Sequence, residues 1–240
     1  MQITNSVAFV TGANRGIGAA LVAKLLKNKA SKVYAGYRTD PGSISDFNRK
    51  TVEPVQLDVG DARSVAAAAK QADDTTLLIN NAGVLASGNL LKSDLAAIQQ
   101  DFQTNFYGPL HLVRAFAESL ADKDEAAIVN MITILAFASM PPMGGYSASK
   151  AATHSLTQAL RGELRGRGIS VHGVYPGPVD TDMIRGFEMQ KTSPLDVAAA
   201  ILRGVEAGEE DIMPDPMSAQ AYAGYKQEPK ELERQFASFG

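Results

Sequence analysis

Apolar residues in this chain fall into short unbroken runs that alternate with longer stretches repeating every three or four positions. Val7-Ala-Phe-Val10 is such a run, ended by Thr11-Gly12, as expected for a strand buried on both faces and entering a turn. From Ile17 the residues Leu21, Val22, Leu25 and Leu26 recur at helical spacing up to Asn28, and Lys32 to Tyr37 returns to strand. The alternation continues. Val55 to Asp58 and Leu77 to Ile79 predict strands, separated by an alanine-rich helix that Asp61 would cap and that runs through Ala72. Leu95 to Leu120 predicts one long helix, kinked at Gly108-Pro109. Ile128 to Thr133 and Ile169 to Tyr175 predict strands around a helix from Ser147 to about Arg165. Pro194 to Ala207 predicts another helix, Asp211 to Met213 a short last strand, and Tyr222 to Phe239 a helix on the surface.

Strands and helices alternating over the whole chain imply an α/β fold: a doubly wound, mostly parallel sheet covered on both faces. No linker or repeat divides the 240 residues, so we expect one domain over 1–240, with about 217–240 as a C-terminal tail.

Composition narrows the chemistry. There is no cysteine, which excludes thiolate metal sites, disulfides and cysteine nucleophiles. The three histidines, His111, His154 and His172, have no metal-ligand spacing, so no metal is expected. A net charge of −3 without a basic block argues against nucleic acid as a partner. The N-terminus has neither a basic leader nor a long apolar core, so no signal peptide is expected and the expected location is cytoplasmic. Ala126 to Ser149 lacks Asp, Glu, Lys and Arg throughout, yet Asn130, Pro141-Pro142 and Gly144-Gly145 interrupt it. A buried strand followed by an uncharged loop fits better than a membrane span.

Two motifs carry candidate chemistry. Thr11-Gly-Ala-Asn-Arg-Gly-Ile-Gly18 joins the first strand to the first helix, with glycines at 12, 16 and 18. Glycines there allow a tight turn and close approach to a pyrophosphate, whose charge would face the free N–H groups of the helix start. The spacing departs from G-x-G-x-x-G, although the strand–turn–helix setting is the one that motif requires. About 20 residues further on, an acid would hold the ribose of NAD and an arginine the 2′-phosphate of NADP. Tyr37-Arg38 stands there, with Arg15 inside the turn. These two cations favour NADP(H), and Asp40 leaves NAD(H) possible. The second motif is Tyr146-Ser-Ala-Ser-Lys150. At i and i+4 an ammonium would favour the phenolate and lower the tyrosine pKa, making an acid/base; a helix-start aromatic beside a surface lysine is the plainer alternative.

Together with Asn80-Asn81-Ala82-Gly83, Asn105 and Pro176-Gly177, these motifs stand in the order and spacing of the short-chain dehydrogenase/reductase family, which the chain resembles from about residue 6 to 214. The resemblance implies a Rossmann fold and an oxidoreductase acting on CH–OH and C=O groups. It implies that Tyr146 exchanges the proton, that Lys150 lowers its pKa and bonds the nicotinamide ribose, and that Asn105 holds a relay water. It further implies that Gly12, Asn14, Arg15, Gly16, Ile17 and Gly18 hold the cofactor's phosphates and that Tyr37, Arg38, Asp58 and Val59 line the adenosine end. Asn81, Ala82, Gly83, Pro176, Gly177, Val179 and Thr181 would line the nicotinamide half. Thr133 stands where the family has a serine, 13 residues before the tyrosine; its hydroxyl can serve the same oxygen, while its methyl takes room.

The uncharged loop then reads as the wall of a water-poor site. Leu135, Phe137 and Met140, with Met183 and Phe187 from a possible lid over about 180–194, are the expected substrate pocket, and Ser139 ranks as packing or substrate contact. The function expected is reversible NADPH-dependent reduction of an apolar ketone or aldehyde. A 3-oxoacyl-thioester reductase and a non-catalytic NADP(H) sensor are the alternatives. The family implies a homodimer or homotetramer.

Overall fold

The computed structural model describes residues 1–239. Seven strands, β1 (Val7–Val10), β2 (Lys32–Tyr37), β3 (Val52–Gln56), β4 (Leu77–Asn80), β5 (Ala126–Met131), β6 (Ile169–Val174) and β7 (Asp211–Ile212), form one sheet in the order β3-β2-β1-β4-β5-β6-β7. Every neighbouring pair is parallel. The order reverses between β1 and β4, which opens the crevice where open α/β sheets take ligands.

Side chains along each strand alternate between two cores. Ala8 and Val10, Leu77 and Ile79, Ala127 and Val129 face one core with Leu21, Leu25 and Ile201, contributed by α1 (Gly16–Lys27) and α6 (Pro194–Ala207). Phe9, Leu78 and Ile128 face the other, with Val65, Phe116 and Leu160 from α2 (Ala62–Gln71), α4 (Gly108–Ala121) and α5 (Gly144–Leu164). Burial on both faces is why the strands read as continuous apolar runs. Asp61 caps α2 by accepting from the Arg63 N–H at 2.9 Å.

Three of the differences from expectation have a local reason. The third strand covers Val52–Gln56 and includes Pro54, which an edge strand tolerates because one side needs no N–H donor. The long helix is α3 (Leu95–Phe102) followed by a wide π turn, Gln103–Tyr107, before α4. Pro109 has no N–H to offer the Asn105 carbonyl four residues back. That carbonyl accepts from the Thr153 hydroxyl instead, at 2.7 Å. The break thus lies one turn before Gly108-Pro109 and carries Asn105. The tail is not one helix but two, α7 (Pro216–Gln227) and α8 (Pro229–Ala237). Glu228, held extended at φ −147° and ψ 84° by the proline after it, divides them.

Among the described residues no helix is long and apolar enough to cross a membrane.

Candidate active site

The turn after β1 is held from behind. The Thr11 hydroxyl accepts from the N–H of Asn81 at 3.0 Å and of Ala82 at 2.9 Å. The Asn81 amide donates to the Thr11 and Gly12 carbonyls. Gly12 and Gly16 take φ of +62° and +53°, the left-handed region. A Cβ at Gly18 would overlap the Gly12 carbonyl, and one at Gly12 would lie 3.1 Å from Ala82 Cα. Arg15 is the N-cap of α1 and makes no side-chain cap bond, and no acid occupies the first turn. Backbone close enough to exclude any side chain, in front of uncapped helix N–H groups, fits a pyrophosphate.

Asn14 and Asp40 belong to this turn's scaffold. Asn14 Nδ2 donates to the Asp40 carbonyl at 3.0 Å, and the Asp40 carboxylate accepts from the Gly42 N–H at 2.9 Å. Arg15 lies 3.6 Å from Asp182, across on the 180–192 segment. Arg38 lines a separate open cleft with Asp58, Asp61 and Gln103. Tyr37 packs half-buried on the first core, and Val59 is buried beneath Gly108.

The acid/base candidates meet at the carboxyl ends of β4 and β5. α5 starts at Gly144, three residues earlier than expected, so Tyr146 and Lys150 both lie within it. Lys150 Nζ donates to the Met131 carbonyl at 2.7 Å and sits 5.8 Å from the Tyr146 ring centre. Burial lowers the Lys150 pKa to about 8, with Asp101 acting in the opposite direction. Burial, and next the Asp101 charge, push the Tyr146 phenol above its ordinary value. That direction is opposite to the lowering expected from the lysine, because desolvation penalises a phenolate more than an ammonium turned toward a carbonyl can favour it.

Asn105 faces the same place, but its side chain is spoken for. Its Oδ1 accepts from the Val84 N–H at 2.9 Å, and its Nδ2 donates to the Val84 carbonyl and the Ser149 hydroxyl. Gly83 leaves the gap between Asn105 and Lys150: a Cβ there would be 3.3 Å from Asn105 Oδ1 and 3.6 Å from Lys150 Nζ. Thr133 lies two residues beyond β5; its hydroxyl donates to the Pro176 carbonyl at 3.2 Å and accepts from the Leu135 N–H at 3.3 Å.

A cavity of about 630 Å³ opens beside Tyr146 and Thr133. Ile17, Leu135, Met140, Pro176, Gly177, Val179, Thr181, Met183 and Phe187 line it. Phe137 does not. Its ring stacks on Tyr175 at 4.8 Å and Tyr225 at 4.9 Å, with His154 edge-on, so it holds the tail down instead of meeting a substrate. The 180–194 segment is pinned at its neck, where Thr192 donates to the Pro178 carbonyl and Asp180 to that of Thr192, both at 2.9 Å.

The tail supplies the wall that sequence reasoning missed. Met217, Ala221 and Gly224 from α7, and Leu232 and Phe236 from α8, face the cavity. Asp215, the buried N-cap of α7, accepts from Ser218 N–H at 2.8 Å with one oxygen and from Gly177 N–H at 2.9 Å with the other, so α7 is bolted to the Pro176-Gly177 turn. The polar composition of 217–239 hid an apolar stripe. The available signal was Leu232 and Phe236 at i, i+4 behind Pro229. Five of the eight methionines, Met140, Met143, Met183, Met189 and Met217, line this one cavity.

Comparison with known proteins agrees with this geometry. A family model described as short chain dehydrogenase matches residues 6–192. An uncharacterized oxidoreductase of Staphylococcus saprophyticus is 30% identical over 219 residues, 86% of this chain and 93% of that protein. A short chain dehydrogenase from Burkholderia cenocepacia, solved in complex with NADP, superposes with a TM-score of 0.92 at 36% identity, covering 98% of this chain and 99% of that one. A short chain dehydrogenase/reductase from Burkholderia phymatum in complex with NAD gives a TM-score of 0.84 at 27% identity, over 97% and 96% of the two chains.

Proposed function

The chain belongs to the short-chain dehydrogenases, a family of oxidoreductases, and from that premise we propose that it is an NADPH-dependent reductase of apolar ketones or aldehydes, reversible as an alcohol dehydrogenase. The observation that carries this reading is the cavity itself. Its walls are chiefly apolar, five methionines among them, with Gln220, Gln227, Glu228, Glu231 and Gln235 on the side of the tail, and Tyr146 and Thr133 both line it.

Arg38, in the open cleft with Asp58, supports NADP(H) over NAD(H), as does the tie between the Asp40 carboxylate and its own turn. The NADP held by the 36% identical relative points the same way. When bound, the reduced nicotinamide supplies the hydride. This chain's residues handle the rest. Tyr146, protonated at neutral pH, gives its phenolic proton to the oxygen of the carbonyl as that oxygen gains charge. Thr133 orients the same oxygen once its hydroxyl turns from the Pro176 carbonyl. Lys150 holds positive charge behind the phenol, and the gap at Gly83 leaves room for a water between it and Asn105. The methionine and phenylalanine walls exclude bulk water and accept an apolar body.

The test is NADPH consumption with a panel of ketones and aldehydes. Tyr146→Phe should lower turnover by about 10²- to 10⁴-fold while NADPH still binds; full activity in that variant sinks the mechanism. A cofactor-binding sensor is the second reading, favoured by the Thr133 hydroxyl being engaged with Pro176. NADPH binding without consumption by any member of the panel would select it.

A further inference from the structure

Lys150 is a buried cation without a carboxylate partner. It is 4% exposed, its recorded bond is to the Met131 carbonyl, and no ion pair among the described residues includes it. A lone ammonium in such a place shifts toward its neutral form unless a counter-charge stands near it. The structure holds one. Asp101, in the last turn of α3, is completely buried and lies outside every motif recognised in the sequence.

Its carboxylate is fully engaged. Oδ1 accepts from the Ala86 N–H at 2.8 Å, and Oδ2 accepts from the Ser87 N–H at 3.1 Å and from the Ser87 hydroxyl. Three donors converge on this carboxyl, and no ion pair among the described residues includes it. Ser87 in turn lies under the first turn of α5. A Cβ on Gly145 would overlap the Ser87 hydroxyl, and it would also come within 3.3 Å of Ile98, one turn before Asp101. The residue after Gly145 is Tyr146. The charged and titratable groups that face one another here are therefore Tyr146 and Lys150 on α5 and Asp101 on α3. Asp101 is the one ionised side chain whose field acts on both, raising each.

We infer that Asp101 is a positioning residue for the Tyr146–Lys150 pair, seating the 86–87 loop under the start of α5 and supplying the counter-charge that keeps Lys150 an ammonium and Tyr146 a neutral phenol. A site held in that state is set to give a proton, so Asp101 biases it toward carbonyl reduction. The bias rests on the function proposed above; the effect on Lys150 does not.

The experiment is an NMR titration of protein carrying ¹³Cε-lysine, with the Lys150 signal identified by its loss in Lys150→Met. The wild-type midpoint is expected near 8. Asp101→Asn should lower it by about one unit. Ser87→Ala keeps the carboxylate but removes a donor that spreads its charge, and should leave the midpoint in place or raise it. An unchanged midpoint in folded Asp101→Asn overturns the inference. A midpoint lowered as far in Ser87→Ala as in Asp101→Asn also overturns it, because the loop's seat alone would then account for the effect and the counter-charge for none of it. Should Asp101→Asn not fold, Asp101→Ser removes the same charge and is read by the same criteria. A second arm follows alcohol oxidation against pH: Asp101→Asn should move the basic limb of kcat to lower pH by about one unit, with KM little changed. No turnover together with the shifted midpoint defeats the proposed function and leaves this inference standing; turnover with an unshifted midpoint does the reverse.

Discussion

The glycine turn and the wall of the cavity are built by opposite means. On the side of β1 and β4, hydrogen bonds from Thr11 and Asn81 fix the glycine turn, and a single added methyl at Gly18 would strike backbone. On the side of the 180–192 segment and the tail, Met183, Phe187, Met189, Met217, Leu232 and Phe236 line the cavity, with Gln220, Glu228 and Glu231 among them. Methionine has three rotatable bonds and a polarisable sulfur, so such a wall adapts to shape where the glycine turn dictates it. The difference teaches that backbone contact makes the turn's shape strict, while flexible side chains leave the wall adaptable.

Substitutions on each side should break that contrast in different ways. The largest effect is expected from Gly18→Ala. Its Cβ has no room beside the Gly12 carbonyl, so NADPH affinity should fall by about a hundredfold or more, and stability by about 1–3 kcal/mol, read by cofactor titration and denaturant unfolding. Retained affinity would show that the turn can open. Arg38→Asp should move the ratio of NADPH to NADH affinity toward NADH by roughly 10- to 100-fold; an unchanged ratio means that another group reads the 2′-phosphate.

Gly224→Leu tests the adaptable wall. Gly224 lies inside α7, where glycine costs about 0.5–1 kcal/mol relative to alanine. It lines the cavity, and a Cβ there would meet nothing within 4 Å. Filling that space should raise KM for large apolar ketones by about tenfold, worth ~1.4 kcal/mol, while a small ketone is turned over as before. Equal effects on both would mean that the variant acts on folding instead.

The last test is of stability against pH. The Lys150 pKa falls from 10.5 to about 8 on folding, so between those values the unfolded chain binds more protons than the folded one. This residue's contribution to stability therefore rises with pH from about 8 to 10.5. Lys150→Met should flatten that rise in unfolding curves taken across the window. Persistence of the slope would assign it to another group.

The sheet, the glycine turn and the tyrosine–lysine pair were legible because each depends on residues close in sequence. A buried parallel strand needs an unbroken apolar run. A phosphate turn needs glycines between strand and helix, and two side chains four apart share a helix face. The length of α5 was less legible, since the glycines at 144 and 145 read as loop and are helical because Leu90 and Ser87 pack against them. The position of the break before α4 was misread for a similar reason: Pro109 announces it, yet the carbonyl it orphans belongs to Asn105 and finds its donor on α5.

The sequence by itself determined a doubly wound fold, a cofactor turn and a candidate acid/base pair, because those follow from local spacing and backbone sterics. Tertiary structure alone decided that Phe137 anchors the tail, that α7 and α8 wall the cavity through the Asp215–Gly177 bond, and that Asp101 stands behind Ser87 near Tyr146 and Lys150. Each of these joins groups distant in sequence. Their energies come from burial and field, which act through space and leave no period along the chain.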